Sequence, residues 1–370
     1  MKFKEMLVDL IERKGSDLHL RVGVPPVMRL HGVLVKIDEE RITFEDMDGI
    51  LGQILSPDQR KRFEQTREMD LALSVSKLGR FRINIYKQRG TPSIALRRVN
   101  TDVPSFEELN LPIVMKDIAE SSRGLIIVTG TTGSGKSTTL AALIEYINST
   151  RAENILTIED PIEYVYRDNK SIISQREVGG DTNSFPSALR AAFRQDPDVI
   201  LIGEIRDLDS MNIALTAADT GHLVLTTLHT LNAVETVNRI ISFFPPHQHQ
   251  QIRLLFSGTL EAIISQRLIP RNDKPGRIPA IEILRGTASI RDAILDPEKT
   301  SSILELIESG HIQYGMQSFD QSIMKLYRQG IISYQQALQQ TTNPDDFELR
   351  IKGITSASDR GWNEFKSMDS

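Results

Sequence analysis

The apolar run Leu125-Ile126-Ile127-Val128 leads into Gly130-Thr131-Thr132-Gly133-Ser134-Gly135-Lys136-Ser137-Thr138, and a helical pattern opens at Lys136. No other stretch limits the fold as strongly. A glycine-rich turn between a strand and a helix aims successive backbone N–H groups, and the positive end of the helix, at one small volume. A polyphosphate fits there. Lys136 would then reach the β- and γ-phosphates, and the Ser137 hydroxyl would ligate a Mg2+ ion bridging them. The plain alternative is a left-handed glycine turn with a surface lysine, against which the preceding strand and following helix both count.

The surrounding pattern is that of an α/β core. Apolar strand candidates Leu125 to Val128, Asn154 to Ile158, Asp198 to Ile202 and His222 to Thr226 alternate with helical stretches opening at Lys136, Phe185 and Asp207. Such alternation marks a parallel sheet with helices on both faces. Upstream, Phe3, Met6, Leu7, Leu10 and Ile11 share one helical face, with Gly15 placed as a cap. Short strands follow around Leu18 to Val22, Val27 to Leu30 and Val33 to Val35, then helices at Asp46 to Leu55 and Pro57 to Gln65. Three further strands fall at Leu71 to Val75, Phe81 to Tyr86 and Ser93 to Val99. Residues 1–100 therefore read as a small α+β domain, and prolines 104 and 112 bracket a linker over 101–115. The core is expected over 116–287. Within it Phe243-Phe244-Pro245-Pro246 ends one helix, and His247 to Gln266 reads as another long helical region. Residues 288–370 read as polar and helical, broken at Gly310, Gly315 and Gly330.

Composition narrows the chemistry. The 370 residues suit two or three modules. No cysteine is present, which removes disulfides and thiolate zinc sites and fits a reducing cytosol. A formal net charge of −5 speaks against a nucleic-acid partner. Glu5, Asp9 and Glu12 interrupt the first apolar pattern, so no secretory signal is expected there. No uncharged apolar run reaches membrane-spanning length, so contact with a membrane is expected only through a partner.

Three further elements bear on hydrolysis. Asp198-Val199-Ile200-Leu201-Ile202-Gly203-Glu204 is an apolar strand ending in a carboxylate, and strand ends of a parallel sheet open on the ligand crevice. Glu204 is thus placed to hold Mg2+, the alternative being an ordinary acid before a helix. Ile158-Glu159-Asp160-Pro161-Ile162-Glu163-Tyr164 clusters carboxylates at a proline turn. Glu163 or Glu159 could orient and polarise the attacking water, or both could belong to a solvated acidic turn. His222 opens the fourth strand and His229 follows it, which makes His229 a candidate sensor of the terminal phosphate.

Gly130 to Thr138, Ile158 to Tyr164, Pro197 to Asp207 and Thr220 to Thr230 together resemble the four motifs of the secretion and type IV pilus ATPase superfamily. Gly15-Ser16-Asp17-Leu18-His19-Leu20, Gly23-Val24-Pro25-Pro26 and Gly315-Met316-Gln317-Ser318-Phe319-Asp320-Gln321 resemble its pilus-retraction branch, the PilT-like proteins. The resemblance implies a homohexameric ring whose subunits join a PAS-like N-terminal domain to a RecA-like P-loop core through a flexible linker. It implies ATP and Mg2+ as ligands and ATP hydrolysis as the reaction. By matching motifs, Glu163 would activate water, Glu204 would serve Mg2+ through an atypical Walker B, and His229 would contact the γ-phosphate region. Arg82 and Arg97 match the family's N-terminal arginines that complete the nucleotide site; without the resemblance they read as strand arginines on a solvated face. The implied setting is cytoplasmic, peripheral to the inner membrane through a pilus platform protein, with no membrane insertion.

Alternatives within the superfamily are an accessory, PilU-like retraction ATPase, which would act beside a paralogous one, and a pilus-assembly or type II secretion ATPase. The last two commonly carry an extra N-terminal domain and a four-cysteine zinc element, and this chain has no cysteine. The retraction branch usually shows Ala-Ile-Arg-Asn-Leu-Ile where this chain reads Ser302-Ile303-Leu304-Glu305-Leu306-Ile307, departing at Leu304 and Glu305. From other classes, a RecA-like DNA motor would require a basic strand channel, and a nucleotide switch would bind ATP without turnover.

Overall fold

The structure, a computed structural model, describes residues 2–352. Two compact units divide it: residues 1–102 with 162–165, and residues 103–161 with those from 166 onward.

The first unit runs α1 (Phe3–Glu12), β1 (Asp17–Arg21), β2 (Val27–Leu30), β3 (Val33–Lys36), α2 (Phe44–Ile54), α3 (Pro57–Thr66), β4 (Glu68–Val75), β5 (Gly79–Gln88) and β6 (Thr91–Arg98). Capping boxes start α2 at Thr43 and α3 at Ser56. The six strands form one sheet in the order β3-β2-β1-β6-β5-β4. Strand alternation gives this sheet two unlike faces. Leu18, Leu20, Met28, Phe81, Ile83, Ile94 and Leu96 bury one of them with the apolar sides of α1 and α2. The opposite face carries a polar row across four strands, because Arg82 lies opposite Arg97, Arg97 opposite Asp17, and Asp17 opposite Arg29.

Residues 101–113 contain no helix or strand. The second unit then runs α4 (Val114–Ala119), β7 (Gly124–Thr129), α5 (Lys136–Thr150), β8 (Asn154–Glu159), β9 (Ile172–Glu177), α6 (Phe185–Ala192), β10 (Val199–Ile202), α7 (Leu208–Asp219), β11 (Leu223–Leu228), α8 (Ala233–Ser242), α9 (His249–Thr259), β12 (Leu260–Pro270) and β13 (Arg277–Arg285). Its seven-stranded sheet has the order β13-β12-β7-β11-β10-β8-β9, with every pairing parallel except β12 with β13. Two apolar clusters cover its two faces, so β7, β10 and β11 are buried at every position. Each buried Leu or Ile contributes roughly 1.5–3 kcal/mol, and a one-residue slip would exchange the two faces. The register is therefore firmly held. It pairs Val128 with Thr227, and Ile202 with both Thr226 and Ile158. The carboxyl ends of β7, β8, β10 and β11 consequently finish at one edge.

The α/β class expected from the sequence is the one observed. The long helix expected over His247 to Gln266 is not: α9 stops at Thr259, and Leu260 onward is β12, beside β7. The cause is burial on both faces, which leaves the strand without the period-2 signature that separates strand from helix. A second difference concerns residues 162–165, which pack with the first unit rather than within one continuous core. A bridge between Asn100 and Tyr164 and the bond from Val165 N to Asn100 O, 2.9 Å, hold them there. Helices α10 (Ala288–Leu295), α11 (Ile303–Ser309), α12 (His311–Tyr314), α13 (Phe319–Arg328), α14 (Tyr334–Gln340) and α15 (Pro344–Ile351) complete the second unit. The helical reading of 353–370 lies outside the described residues.

Candidate nucleotide site

Gly130 leaves β7 with φ +140°, and Gly133 and Gly135 follow at +80° and +95°. A Cβ on Gly130 would stand 2.5 Å from both Gln266 O and Ser134 Oγ, so only glycine fits. Gly135 is the N-cap of α5, and the helix begins with Lys136. Nζ of Lys136 donates to Gly130 O at 2.9 Å and to Thr131 O at 3.1 Å. Burial holds this ammonium below the ordinary lysine value, while the Glu204 carboxylate works in the other direction. A desolvated cation at the start of a helix gains from an incoming anion.

Two polar atoms under the loop, Ser134 Oγ and Gln266 Oε1, are buried without a hydrogen-bond partner. Gln266 comes from β12, and its Nε2 donates to Thr139 Oγ1 at 2.9 Å. With Thr131, Thr132, Gly133 and Ser137 exposed above it, the Ser134 hydroxyl is a donor available to a phosphate group, whereas the Gln266 amide oxygen can only accept. The Ser137 hydroxyl and the Glu204 carboxylate are the hard oxygen donors that suit a Mg2+ ion sharing its coordination with phosphates.

Glu204 is pinned just beyond β10. Gly203 N donates to Ile158 O at 2.8 Å, and Thr227 Oγ1 donates to Gly203 O at 2.8 Å. Glu204 pairs with Arg206, and His229 Nε2 lies 3.5 Å from Glu204 Oε2. The phosphate loop, Glu204 and His229 thus stand on one edge of one sheet. His222 is at the opposite end of β11, where Nδ1 contacts Ala217 O at 2.9 Å and the ring meets Phe193 edge-on.

The two acid-box glutamates separate sharply. Glu159 is buried and accepts from Thr157 Oγ1 at 2.7 Å and Gln175 Nε2 at 3.3 Å. Glu163 has a side chain 51% exposed and, within the first unit, accepts from Arg82 Nη1 at 3.3 Å. On the same polar face Arg97 Nε donates to Asp17 Oδ1 at 2.8 Å. Burial works to raise the Asp17 carboxyl, but hydrogen bonds from Ser16 and Arg97 hold it below its ordinary value. Gln266, Arg206, Thr157 and Asp17 escaped the reading of the sequence. The partners of Gln266 and Asp17 lie on elements distant in sequence, whereas Thr157 and Arg206 pair with Glu159 and Glu204 two residues away.

Comparison with known proteins identifies the family. The family model described as Type II/IV secretion system protein matches residues 3–342, and the chain belongs to that family. Within it the likeness runs to the pilus ATPases. The chain is 41% identical to the Type IV pilus ATPase PilU of Pseudomonas aeruginosa over 97% of this chain and 93% of that protein. It is 40% identical to the Type IV pilus retraction ATPase PilT of the same organism, over 94% of this chain and all of that protein. The crystal structure of the pilus retraction motor PilT with bound ADP superposes with a TM-score of 0.86 at 43% identity, covering 94% of this chain and 99% of that one.

Proposed function

We propose that this chain is the ATP-hydrolysing motor of type IV pilus retraction. The observation that carries the reading is the phosphate loop built on β7, with Lys136, Glu204 and His229 at the same sheet edge. ATP is held by the backbone N–H groups of residues 130–138 and by Lys136. Ser137 and Glu204 would hold a Mg2+ ion, which would neutralise charge on the terminal phosphates. His229 reads the terminal phosphate through its contact with Glu204. Glu163 orients the attacking water, and Arg82 and Arg97 neutralise charge that develops in the transition state. Arg82 must release Glu163 for both to act, so the ion pair marks a resting arrangement. The residues given these roles belong to the two compact units.

The working form in this reading is a homohexamer, and its load is a platform protein in the inner membrane. Among the described residues no helix is long and apolar enough to cross a membrane, so force passes through that partner. A second reading, an accessory motor acting beside a paralogous retraction ATPase, is favoured by Leu304 and Glu305 in α11, where the retraction branch carries Arg and Asn. Complementation of a retraction-deficient strain by this gene alone, scored by twitching and surface pili, separates the two. The nucleotide assignment itself is tested by Lys136→Ala, which should abolish ADP binding in calorimetry; near-normal affinity would remove the loop from the mechanism.

A further inference from the structure

We infer that Glu282 is a positioning residue for nucleotide turnover, holding the amino end of α8, and with it the His229 loop, in register with the phosphate-loop strand. The inference rests on the site proposed above. Glu282 lies on β13, 3% exposed. In the sheet register it stands opposite Ser265, Ser265 opposite Thr129, and Thr129 opposite Leu228, the residue before His229. Hydrogen bonds follow the same row. Thr129 Oγ1 donates to Ser265 Oγ at 3.0 Å, and Ala233 N donates to Glu282 Oε1 at 2.7 Å. The sheet register and these two bonds thus place the residue before Gly130, Ser265, Glu282 and the start of the helix after His229 in one row.

Local residues satisfy two further N–H groups at this end of α8. Glu235 N donates to the N-cap Asn232 Oδ1 at 2.8 Å, and Leu231 N donates to Glu235 Oε2 at 2.8 Å. The first helical N–H, on Ala233, depends on a carboxylate 49 residues away. Packing does not replace it on one side, because a cavity of about 310 Å³ opens beside Glu282, Val234 and Leu304. Removing the acceptor would free the start of α8, and the 3.5 Å approach of His229 to Glu204 would go with it.

Retaining a carboxylate there is costly, since burial pushes its pKa up to about 7. The Ala233 N–H, the Arg267 guanidinium from β12 and the Ser265 hydroxyl favour the ionised form, and Asp320 from α13 opposes it. Glu235 lines the same cavity. A glutamine would cap α8 without that cost.

The test compares the full chain with Glu282→Ala and Glu282→Gln, measuring Mg-ATP turnover from about pH 6 to 8.5, the normal carboxyl range being well below it, together with ADP affinity by calorimetry. Glu282→Ala should lower kcat about tenfold while KM and ADP affinity stay within about threefold. Glu282→Gln, which keeps an acceptor for Ala233 N–H, should recover most of kcat and lack the rise in turnover through pH 7 that is expected of the parent. Wild-type kcat in Glu282→Ala, or a kcat loss matched by an equal loss of ADP affinity, overturns the positioning role. If the alanine variant fails to fold, an unchanged pH profile in Glu282→Gln overturns it equally. A parent chain that binds ADP but never hydrolyses ATP refutes the motor reading and the positioning role together, whereas active variants indistinguishable from an active parent refute only the latter.

Discussion

Gly130 and Gly133 offer a controlled test of the phosphate cradle, because both have positive φ but only one is crowded. At Gly133, φ +80°, a Cβ would meet nothing within 4 Å. Gly133→Ala therefore carries only the left-handed strain of about 1–2 kcal/mol. At Gly130, φ +140°, the same Cβ would stand 2.5 Å from the backbone oxygen of Gln266 and from Ser134 Oγ. The serine could rotate, but the Gln266 carbonyl belongs to β12, a strand hydrogen-bonded to neighbours on both sides. Relief requires moving the loop off the sheet. Gly130→Ala should thus cost roughly 3 kcal/mol or more, with overpacking added to backbone strain. It should also weaken ADP binding at least about a hundredfold, since displaced N–H groups no longer converge on the phosphates. Urea denaturation gives the stabilities and calorimetry the affinities. If Gly130→Ala binds ADP within about threefold of the parent, or proves no more destabilising than Gly133→Ala, the assignment of this loop as a sheet-anchored cradle is wrong.

Glu163→Gln should retain ATP affinity and lose steady-state phosphate release; unchanged release would transfer the water-orienting role to Glu159, despite its buried bonds to Thr157 and Gln175. Arg82→Ala and Arg97→Ala should each lower turnover while shifting unfolding stability by less than about 1 kcal/mol, because their side chains are 41% and 65% exposed; full activity in both would remove the N-terminal arginines from the site. For Glu282 the folded pKa of about 7 stands above the ordinary 4.5. Its stabilising contribution is complete below the lower value and is lost as pH rises through the higher one. The stability of the parent relative to Glu282→Gln should therefore fall by about 3 kcal/mol between about pH 4.5 and 8, and a flat difference in urea titrations at several pH values would contradict the buried, raised carboxyl.

Legibility followed locality. The phosphate loop and the strands before Glu159, Glu204 and His229 were readable because each is a continuous apolar run with its chemistry at the end, and a parallel sheet gathers such ends on one edge. β12 was unreadable for the converse reason: it is equally apolar but follows α9 directly. With β12 misread, Gln266 and Ser265 had no place beneath the loop. Other omissions concern pairs far apart in sequence: Thr129 with Ser265 across 136 residues, Arg82 with Glu163 across 81, and Arg97 with Asp17 across 80. Each side chain alone is an ordinary strand polar residue; the sheet register makes it a partner.

The same register explains why β12 matters beyond packing. It is the parallel neighbour of β7 and the antiparallel neighbour of β13, so it alone touches the loop strand on one side and Glu282 on the other. Two adjacent residues of β12 face opposite ways by the pleat. Gln266 donates to Thr139 in the first turn of α5, and Ser265 accepts from Thr129 and stands opposite Glu282 on β13. Movement of β12 against β7 would therefore disturb the phosphate-binding helix and the start of α8 together. A strand that grips both ends of the site gives the motor a reason to keep buried polar side chains where leucine would pack at less cost.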